Sequence, residues 1–273
     1  MTHCLKLISC FVCLIIFSQA EETIIVNKNN VIHKFVSCDE LTDRFIRYGF
    51  PGWERETFDV FEKNKNNRGI AIDIGAWIGT TAIWLAKNFY HVLAIEADVA
   101  SLPCFKRNLI ASECHNVTLC DKVISDKAGK VIFGPRGTNL NESISHLKKE
   151  INSEKDYLAE ASTFKQILYD YLFSDEDLNS HEITFIKCDI EGGEETIIED
   201  VLDFAYHNGC PVLMSFHLDW WNDKEITRFD NLFQFFTVNC PEQNVCKYIM
   251  KNPFTTILFT PIRSFGLERF TYP

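Results

Sequence analysis

The sequence has no surplus of basic residues, no internal repeat and no low-complexity tract. Its 27 Lys and Arg residues stand against 38 Asp and Glu residues, which gives a formal net charge of −11 at pH 7. Proteins that bind nucleic acids usually need a basic surface that displaces counterions, so we predict no nucleic-acid partner. The cysteines and histidines also lack the spacing of a structural zinc site.

Beyond its first 20 residues, the chain has no apolar run of the ~20 residues that cross a bilayer. The N-terminal run is shorter, from Leu7 to Phe17, and Ser18-Gln19-Ala20 follows it. This pattern is typical of a cleaved secretory signal over residues 1–20, with an uncleaved signal anchor as the alternative. We therefore expect the protein in the secretory pathway, in the ER or Golgi lumen or secreted. Membrane association is expected only through such an anchor.

The cysteines that are present fit a secretory protein. Eight of the 11 lie beyond residue 20, an even number that permits disulfides in an oxidising compartment. Cys240 and Cys246 are close in sequence and are our best candidates for a local bridge, whereas we expect Cys188 to be buried in an apolar strand. Asn116 and Asn141 begin N-x-S/T sequons, which we expect to be available for glycosylation after secretory entry.

A regular alternation of strands and helices begins near residue 68. Strands are predicted at 69–73, 91–96, 117–119, 131–133, 183–189, 211–217, 246–250 and 255–259, and helices at 80–89, 99–112, 164–173, 194–207 and 223–237. Such alternation predicts an α/β, Rossmann-like fold with a mostly parallel sheet and helices on both faces. We divide the chain into a lead-in of uncertain structure (21–67), a main domain (68–262) and a tail (263–273). Within the domain, the polar segment 135–160 is predicted to be a loop or a loop with a helix.

The segment from Asp73 to Thr80, DIGAWIGT, joins the first strand to its helix. Gly75 permits a tight turn close to a ligand, and Gly79 opens space at the start of the helix. Glu96 ends the next strand, where its carboxylate can accept both hydroxyls of a ribose. The turn and the acid together predict a cradle for an adenosine-bearing cofactor.

The residues of this turn also indicate which cofactor it holds. A dinucleotide needs the glycine pattern G-x-G-x-x-G, but Trp77 replaces the second glycine and would obstruct a pyrophosphate. No Gly-Lys-Ser/Thr sequence follows, so a phosphate-binding loop is excluded as well. S-adenosylmethionine has no phosphate, and Asp73 can meet its amino-acid end. We predict that this cofactor contacts the turn, including Ala76 and Thr80. The alternative is that Asp73 caps a helix and the glycines serve only the turn.

Four segments resemble the FkbM-type methyltransferases: AIDIGAWIGTTAIWLAK, VLAIEAD, NLIASECHNVTLCDKVISDKAGKVIFG and FIKCDIEGGEETII. The resemblance covers roughly residues 68–218 and is most specific at Ile186–Glu194, which is similar to the family's I-K-x-D-x-E-G-x-E signature. It implies a class I methyltransferase fold, with S-adenosylmethionine in contact with Asp73, the two glycines of the turn and Glu96. It also implies that Asp121 lies near the adenine, and that the acceptor is a hydroxyl, in many members a sugar hydroxyl.

Methyl transfer to a hydroxyl requires that the acceptor is aligned and loses its proton. Asp189 ends a buried strand, Glu191 follows on the same loop, and His217 ends the next strand. We predict that Asp189 positions the acceptor or the cofactor and that His217 or Glu191 is the general base. The alternatives are a structural role for His217, and a role for Glu191 and Glu194 in favouring a helix N-terminus. No further ligand is evident beside Asp189, so no metal site is predicted.

The sequence therefore predicts an S-adenosylmethionine-dependent O-methyltransferase that acts on a glycan hydroxyl in the secretory pathway. Two alternatives remain open. One is a methyltransferase whose acceptor is a small molecule or a protein side chain. The other is a secreted binding protein that has kept the fold and lost catalysis.

Overall fold

A computed structural model describes residues 22–136 and 145–262. The predicted signal segment at residues 1–20, the sequon that begins at Asn141 and the predicted tail at 263–273 lie outside the described residues. No helix in the described part of the chain is both long and apolar enough to cross a membrane.

The described residues form 13 strands and eight α-helices. The strands are β1 (Thr23–Lys28), β2 (Val31–Val36), β3 (Ile70–Ile74), β4 (His91–Ile95), β5 (Val117–Cys120), β6 (Val123–Ile124), β7 (Gly129–Pro135), β8 (Ser145–Lys148), β9 (Tyr157–Ser162), β10 (Ile183–Cys188), β11 (Val212–His217), β12 (Phe236–Val238) and β13 (Phe254–Pro261). The helices are α1 (Glu40–Arg44), α2 (Arg55–Asn64), α3 (Thr80–Asn88), α4 (Leu102–Ala111), α5 (Phe164–Leu168), α6 (Glu194–Asn208), α7 (Asp230–Phe233) and α8 (Val245–Lys251).

The main sheet has seven strands in the order β12-β13-β11-β10-β3-β4-β5. The five strands from β11 to β5 pair in parallel, and β13 and β12 add antiparallel strands at one edge. Alternate residues of a strand face opposite sides of a sheet. Accordingly, Ile72 belongs to the buried cluster that contains Ile197 and Ile198 of α6, whereas its neighbour Ala71 belongs to the cluster that contains Trp84 of α3. Helices cover both faces, which confirms the predicted Rossmann-like fold.

The lead-in is an ordered part of the structure. The hairpin of β1 and β2 lies against α3 and α4, and the backbone N–H of Val36 donates to Asn108 Oδ1 of α4 (2.8 Å). A disulfide joins Cys38 to Cys104, also in α4. The predicted Cys240–Cys246 bridge is wrong, since both cysteines are free.

A second sheet beside the first has four strands in the order β6-β9-β7-β8. Strand β8 and the first four residues of β9 lie within 135–160, so the loop or helix predicted there is wrong at these residues. Antiparallel pairing of β7 with both strands satisfies the polar backbone of this segment.

Two elements near the C-terminal end of the sheet also differ from prediction. The strand predicted at 246–250 is wrong, because α8 occupies it: Asn244 caps this helix by accepting from Lys247 N, and Cys246 and Ile249 are buried three residues apart, a helical spacing. One long helix is predicted at 223–237, but the only α-helix there is the short α7, and the strand β12 begins soon after it.

Candidate active site

The carboxyl ends of β3, β4, β10 and β11 open into a cavity of about 610 Å³. Trp53 and Glu54 of the lead-in form one wall, and Phe133 and His146 of the second sheet form another. A volume of this order is typical of sites that enclose a small molecule. The fold thus places a ligand-sized cavity where parallel α/β sheets bind their ligands.

The turn after β3 lies tightly against the loop after β10. Gly75 has φ +81°, and a Cβ atom there would lie 1.8 Å from the main-chain oxygen of Asp189, so glycine is required. Gly79 has φ +92° and faces the Phe105 ring, which a Cβ would approach to 2.6 Å. Gly75 lines the cavity, whereas Gly79 allows α3 to pack against α4.

The remaining residues of the turn divide in the same way. Thr80 and Trp77 line the cavity, whereas Ala76 is fully buried in the core beside it. Trp77 has φ +48°, in the left-handed region that non-glycine residues adopt rarely and at an energetic cost. Its ring packs against Phe45 of the lead-in, with centroids 5.2 Å apart.

Glu96 joins this turn to the loop after β4. Its Oε2 accepts from Trp77 N and its Oε1 from Asp98 N, each at 2.7 Å. An ionised carboxylate has about four acceptor sites, so these two bonds leave capacity for a ribose. Burial raises the pKa of Glu96 to about 7. The residue lines the cavity, as a cofactor contact requires.

Asp73 lies beneath the cavity, fully buried. Its Oδ2 accepts from Thr81 Oγ1 (2.7 Å), and its Oδ1 lies 3.2 Å from Lys187 Nζ. Lys187 in turn donates to the main-chain oxygen of Gly75 (2.7 Å). Burial acts to lower the pKa of Lys187, but the charges of Asp73 and Asp189 outweigh it and hold that pKa above its ordinary value. Asp73 therefore supports the turn through Lys187 and does not itself line the cavity.

Asp121 is the one predicted cofactor residue that the structure leaves on the surface. Its side chain is exposed, and it does not line the cavity. The next residues along the chain, Lys122 and Val123, line the cavity instead.

The three predicted catalytic residues converge at one end of the cavity. Nε2 of His217 lies 3.2 Å from Glu191 Oε2 and 3.6 Å from Asp189 Oδ1. All three side chains are mostly buried and line the cavity. Glu191 has φ +57°, a strained conformation that the loop maintains at this site.

A third carboxylate, that of Glu194, binds His217 and the loop that carries Asp189 and Glu191. It is the first residue of α6 and is fully buried. It accepts from His217 Nδ1 (3.0 Å), from Trp221 Nε1 (3.2 Å) and from the backbone of Ile190 and Gly192. Its role is thus more specific than favouring a helix N-terminus.

The charges around His217 determine its protonation. Burial acts to lower its pKa, but the hydrogen bond to Glu194 and the charges of Asp189 and Glu191 raise it to about 9. Burial raises the pKa of Glu191 to about 7. The Trp220 ring stacks on the imidazole, with centroids 5.1 Å apart and planes 6° apart. The carboxylates around the ring therefore favour the protonated imidazole.

Sequence reasoning missed Glu54, which precedes α2 in the lead-in. It lines the cavity, has φ +44°, and its pKa is raised to about 7 by burial and by the charge of Asp189. No periodic pattern marks this part of the chain. A set of possible metal ligands was also not evident from the sequence: Asp189, Glu191 and His217 offer ligand atoms that all lie within 4.8 Å of one another.

The geometry of the cradle suits an adenosine-bearing cofactor without phosphates. Glu96 has acceptor capacity for a ribose, Gly75 brings the turn against the Asp189 loop, and Trp77 stands where a dinucleotide-binding turn has its second glycine. The fold and this cradle define the class of S-adenosylmethionine-dependent methyltransferases.

Comparison with known families identifies the family within this class. The methyltransferase FkbM domain matches residues 73–245, more than half of the chain. The chain belongs to the FkbM methyltransferase family, and its cofactor is S-adenosylmethionine. None of the curated proteins matches this sequence.

Several solved structures are similar to this chain at low sequence identity. The methyltransferase FkbM from Methylobacillus flagellatus is 12% identical, with a TM-score of 0.45, over 80% of this chain and 52% of that chain. An rRNA methylase from Streptococcus thermophilus is 10% identical, with a TM-score of 0.44, over 77% of this chain and 96% of that chain. An O-methyltransferase from Bacillus cereus in complex with SAH is 13% identical, with a TM-score of 0.43, over 76% of this chain and 78% of that chain.

Proposed function

We propose that this methyltransferase transfers a methyl group to a hydroxyl of a glycan in the secretory pathway. The observation that carries this proposal is the convergence of Asp189, Glu191 and His217 at one end of the cavity. S-adenosylmethionine, when bound, supplies an activated methyl group. The residues of the chain need only align the hydroxyl and accept its proton.

The hydrogen bonding of His217 favours Glu191 as the proton acceptor. Both ring nitrogens of His217 face carboxylates, which accept when they are ionised, so in this arrangement the ring carries a proton on each nitrogen and has no free lone pair. Glu191 lies on the cavity side of the ring and offers carboxylate oxygens. Asp189, on the same loop, is placed to orient the hydroxyl.

The walls of the cavity support a sugar acceptor. Trp53, Phe45, Trp77 and Phe254 line it, and aromatic faces pack well against the C–H face of a pyranose. The walls from the lead-in and the second sheet also favour a second candidate, a small hydroxyl-bearing molecule, because they restrict access to a terminal group. An acceptor on a protein side chain, or ligand binding without catalysis, would give a different outcome in an acceptor screen.

Two features support the secretory location. The Cys38–Cys104 disulfide is of a kind that persists in oxidising compartments, and the segment at residues 1–20 has the pattern of a secretory signal. The sequon at Asn116 adds no support. Its side-chain amide donates to the main-chain oxygens of Ala86, Phe89 and Tyr90, so the folded protein does not present it for modification.

The test is an acceptor screen with labelled S-adenosylmethionine. The full chain, expressed in a secretory host, is incubated with a glycan array and with small alcohols and phenols, and products are located by mass spectrometry. We expect O-methylated sugars, and loss of product in Glu191→Gln with cofactor binding retained. Transfer to nitrogen or to a protein side chain alone, or cofactor binding with no transfer to any acceptor, contradicts the proposal.

A further inference from the structure

We propose that Asp189, Glu191 and His217 form a binding site for a divalent metal cation within the active site. This inference rests on the proposed function, since the cation would act on the hydroxyl acceptor. The three residues come from the ends of two adjacent parallel strands, β10 and β11. Their ligand atoms all lie within 4.8 Å of one another, so a single ion placed among them could contact all three.

The oxygen Oδ1 of Asp189 gives an independent indication of a missing ligand. This atom is buried, and it accepts no hydrogen bond from any described residue. Buried polar atoms normally have a partner, because an unsatisfied one costs about 1–3 kcal/mol. The basic atom that pairs with it is His217 Nε2 at 3.6 Å, which is too far for a hydrogen bond. A cation between the two residues would satisfy the oxygen.

The charge balance points the same way. Asp189, Glu191 and Glu194 surround His217, so three carboxylates face one imidazole. The nearby Lys187 is paired with Asp73. Arg136 donates to the main-chain oxygen of Glu191. A divalent cation would offset this excess of negative charge.

The hydrogen bond from His217 to Glu194 is of the kind that orients a metal-binding histidine. Ligating histidines almost always donate their second ring N–H to a carboxylate or carbonyl, which fixes the ring and the tautomer. Here the fully buried Glu194 accepts from Nδ1 at 3.0 Å, and Nε2 is the nitrogen that faces Asp189 and Glu191. A cation bound at Nε2 would displace the proton from that nitrogen and leave the proton on Nδ1. Carboxylate oxygens with one imidazole suit Mg²⁺, Mn²⁺ or Zn²⁺.

Three protein ligands leave coordination positions open for the acceptor. A hydroxyl oxygen bound there would become more acidic and would lose its proton to solvent or to Glu54, which also lines the cavity. The oxygen's electron pair then forms a bond to the methyl carbon. The carbon–sulfur bond of the donor breaks, and its electron pair stays on the sulfur as a neutral thioether. On this route the metal lowers the pKa of the hydroxyl, and Glu191 serves as a ligand instead of the base.

The test is metal binding to the full chain after removal of metals with EDTA, with neither cofactor nor acceptor present. Mn²⁺ is the probe, because the EPR signal of the free ion reports its binding directly. We expect a single site per chain that Mg²⁺ competes for. Asp189→Asn and Glu191→Gln should each weaken Mn²⁺ binding by at least about tenfold. Glu199→Gln makes the same chemical change at an exposed position of α6 and should bind as the wild type does.

Circular dichroism establishes that each variant is folded. The inference is overturned if Mn²⁺ does not bind at millimolar concentration, or if the two ligand variants bind it as tightly as Glu199→Gln. A transfer assay in EDTA separates the two proposals. Full methyl transfer without metal, together with no Mn²⁺ binding, removes the metal site and leaves the proposed function intact. Mn²⁺ binding without transfer to any hydroxyl supports the site and contradicts the function.

Discussion

Glu194 Oε1 lies 3.0 Å from His217 Nδ1, although the two residues are 23 positions apart. The contact joins the start of α6 to the end of β11, and the same carboxylate also holds the loop after β10 through Ile190 and Gly192. One buried side chain therefore sets both the orientation of the histidine and the path of the loop that carries Asp189 and Glu191.

Replacing Glu194 with Gln should destabilise the protein and release His217. The amide keeps the size of the side chain but can accept through only one of its two terminal atoms, so buried donors lose their partner. The free energy of unfolding should fall by about 1–3 kcal/mol, measured by urea denaturation at pH 7. In Glu199→Gln the same change on the exposed face of α6 should stay within about 0.5 kcal/mol of wild type. Equal stability of the two variants would show that the hydrogen bonds of the Glu194 carboxylate do not stabilise the folded protein.

Glu96 and Asp121 give opposite predictions for cofactor affinity. Glu96 lines the cavity and Asp121 is exposed outside it. Glu96→Ala removes the proposed acceptors for the ribose and the carboxylate that accepts from the backbone N–H of Trp77. The binding free energy of S-adenosylmethionine should therefore weaken by about 1.5–3 kcal/mol, or roughly ten- to a hundredfold in affinity. Asp121→Ala should bind as the wild type does. Calorimetric titration with S-adenosylmethionine measures both, and an unchanged affinity in a folded Glu96→Ala would remove Glu96 from the site.

Glycosylation distinguishes the two sequons and tests the compartment. The amide of Asn116 is engaged by three carbonyls, and Asn141 lies outside the described residues. In a secretory host we expect a glycosidase-sensitive shift in mobility that is lost in Asn141→Gln and retained in Asn116→Gln. An unmodified cytosolic protein that retains Met1 would contradict the secretory prediction, and loss of the shift only in Asn116→Gln would contradict the assignment of the site.

The convergence of Asp189 and His217 could be predicted from sequence, because apolar strand patterns end at both residues and parallel strands end at the same edge of a sheet. Glu54 could not be predicted, since the lead-in has no periodic pattern that would place it over the cavity. The same limit explains the disulfide. Cys240 and Cys246 are close in sequence, but burial of Cys246 in α8 separates them, whereas Cys38 meets Cys104 through packing of the lead-in on α4.

His33 should make stability depend on pH. It is fully buried, with Nε2 3.2 Å from the main-chain oxygen of Thr80, and burial lowers its pKa from 6.5 to about 4. Between these pH values the unfolded chain binds a proton that the folded chain does not. The free energy of unfolding should therefore decrease as pH falls from 6.5 towards 4, by up to about 3 kcal/mol from this residue.

Urea denaturation at pH 7.5 and pH 5 measures this dependence. His146, whose pKa burial also lowers to about 4, contributes in the same direction, so the comparison is made between variants. His33→Gln should lose a larger part of its pH dependence than His115→Gln, which alters an exposed histidine. Equal dependence in the two variants would show that burial of His33 does not control acid stability.

The last prediction separates catalysis from cofactor binding. His217 touches Asp189 and Glu191 at the ends of β10 and β11, whereas Glu96, the proposed ribose contact, follows β4, on the other side of β3 in the sheet. His217→Ala removes the cation that orders both carboxylates, or one ligand of the proposed metal. In either role kcat should fall by about 10²–10⁴-fold, while the affinity for S-adenosylmethionine changes little. His115→Ala should have wild-type kcat. Full turnover in a folded His217→Ala would place the chemistry elsewhere in the cavity, with Glu54 as the first carboxylate to test.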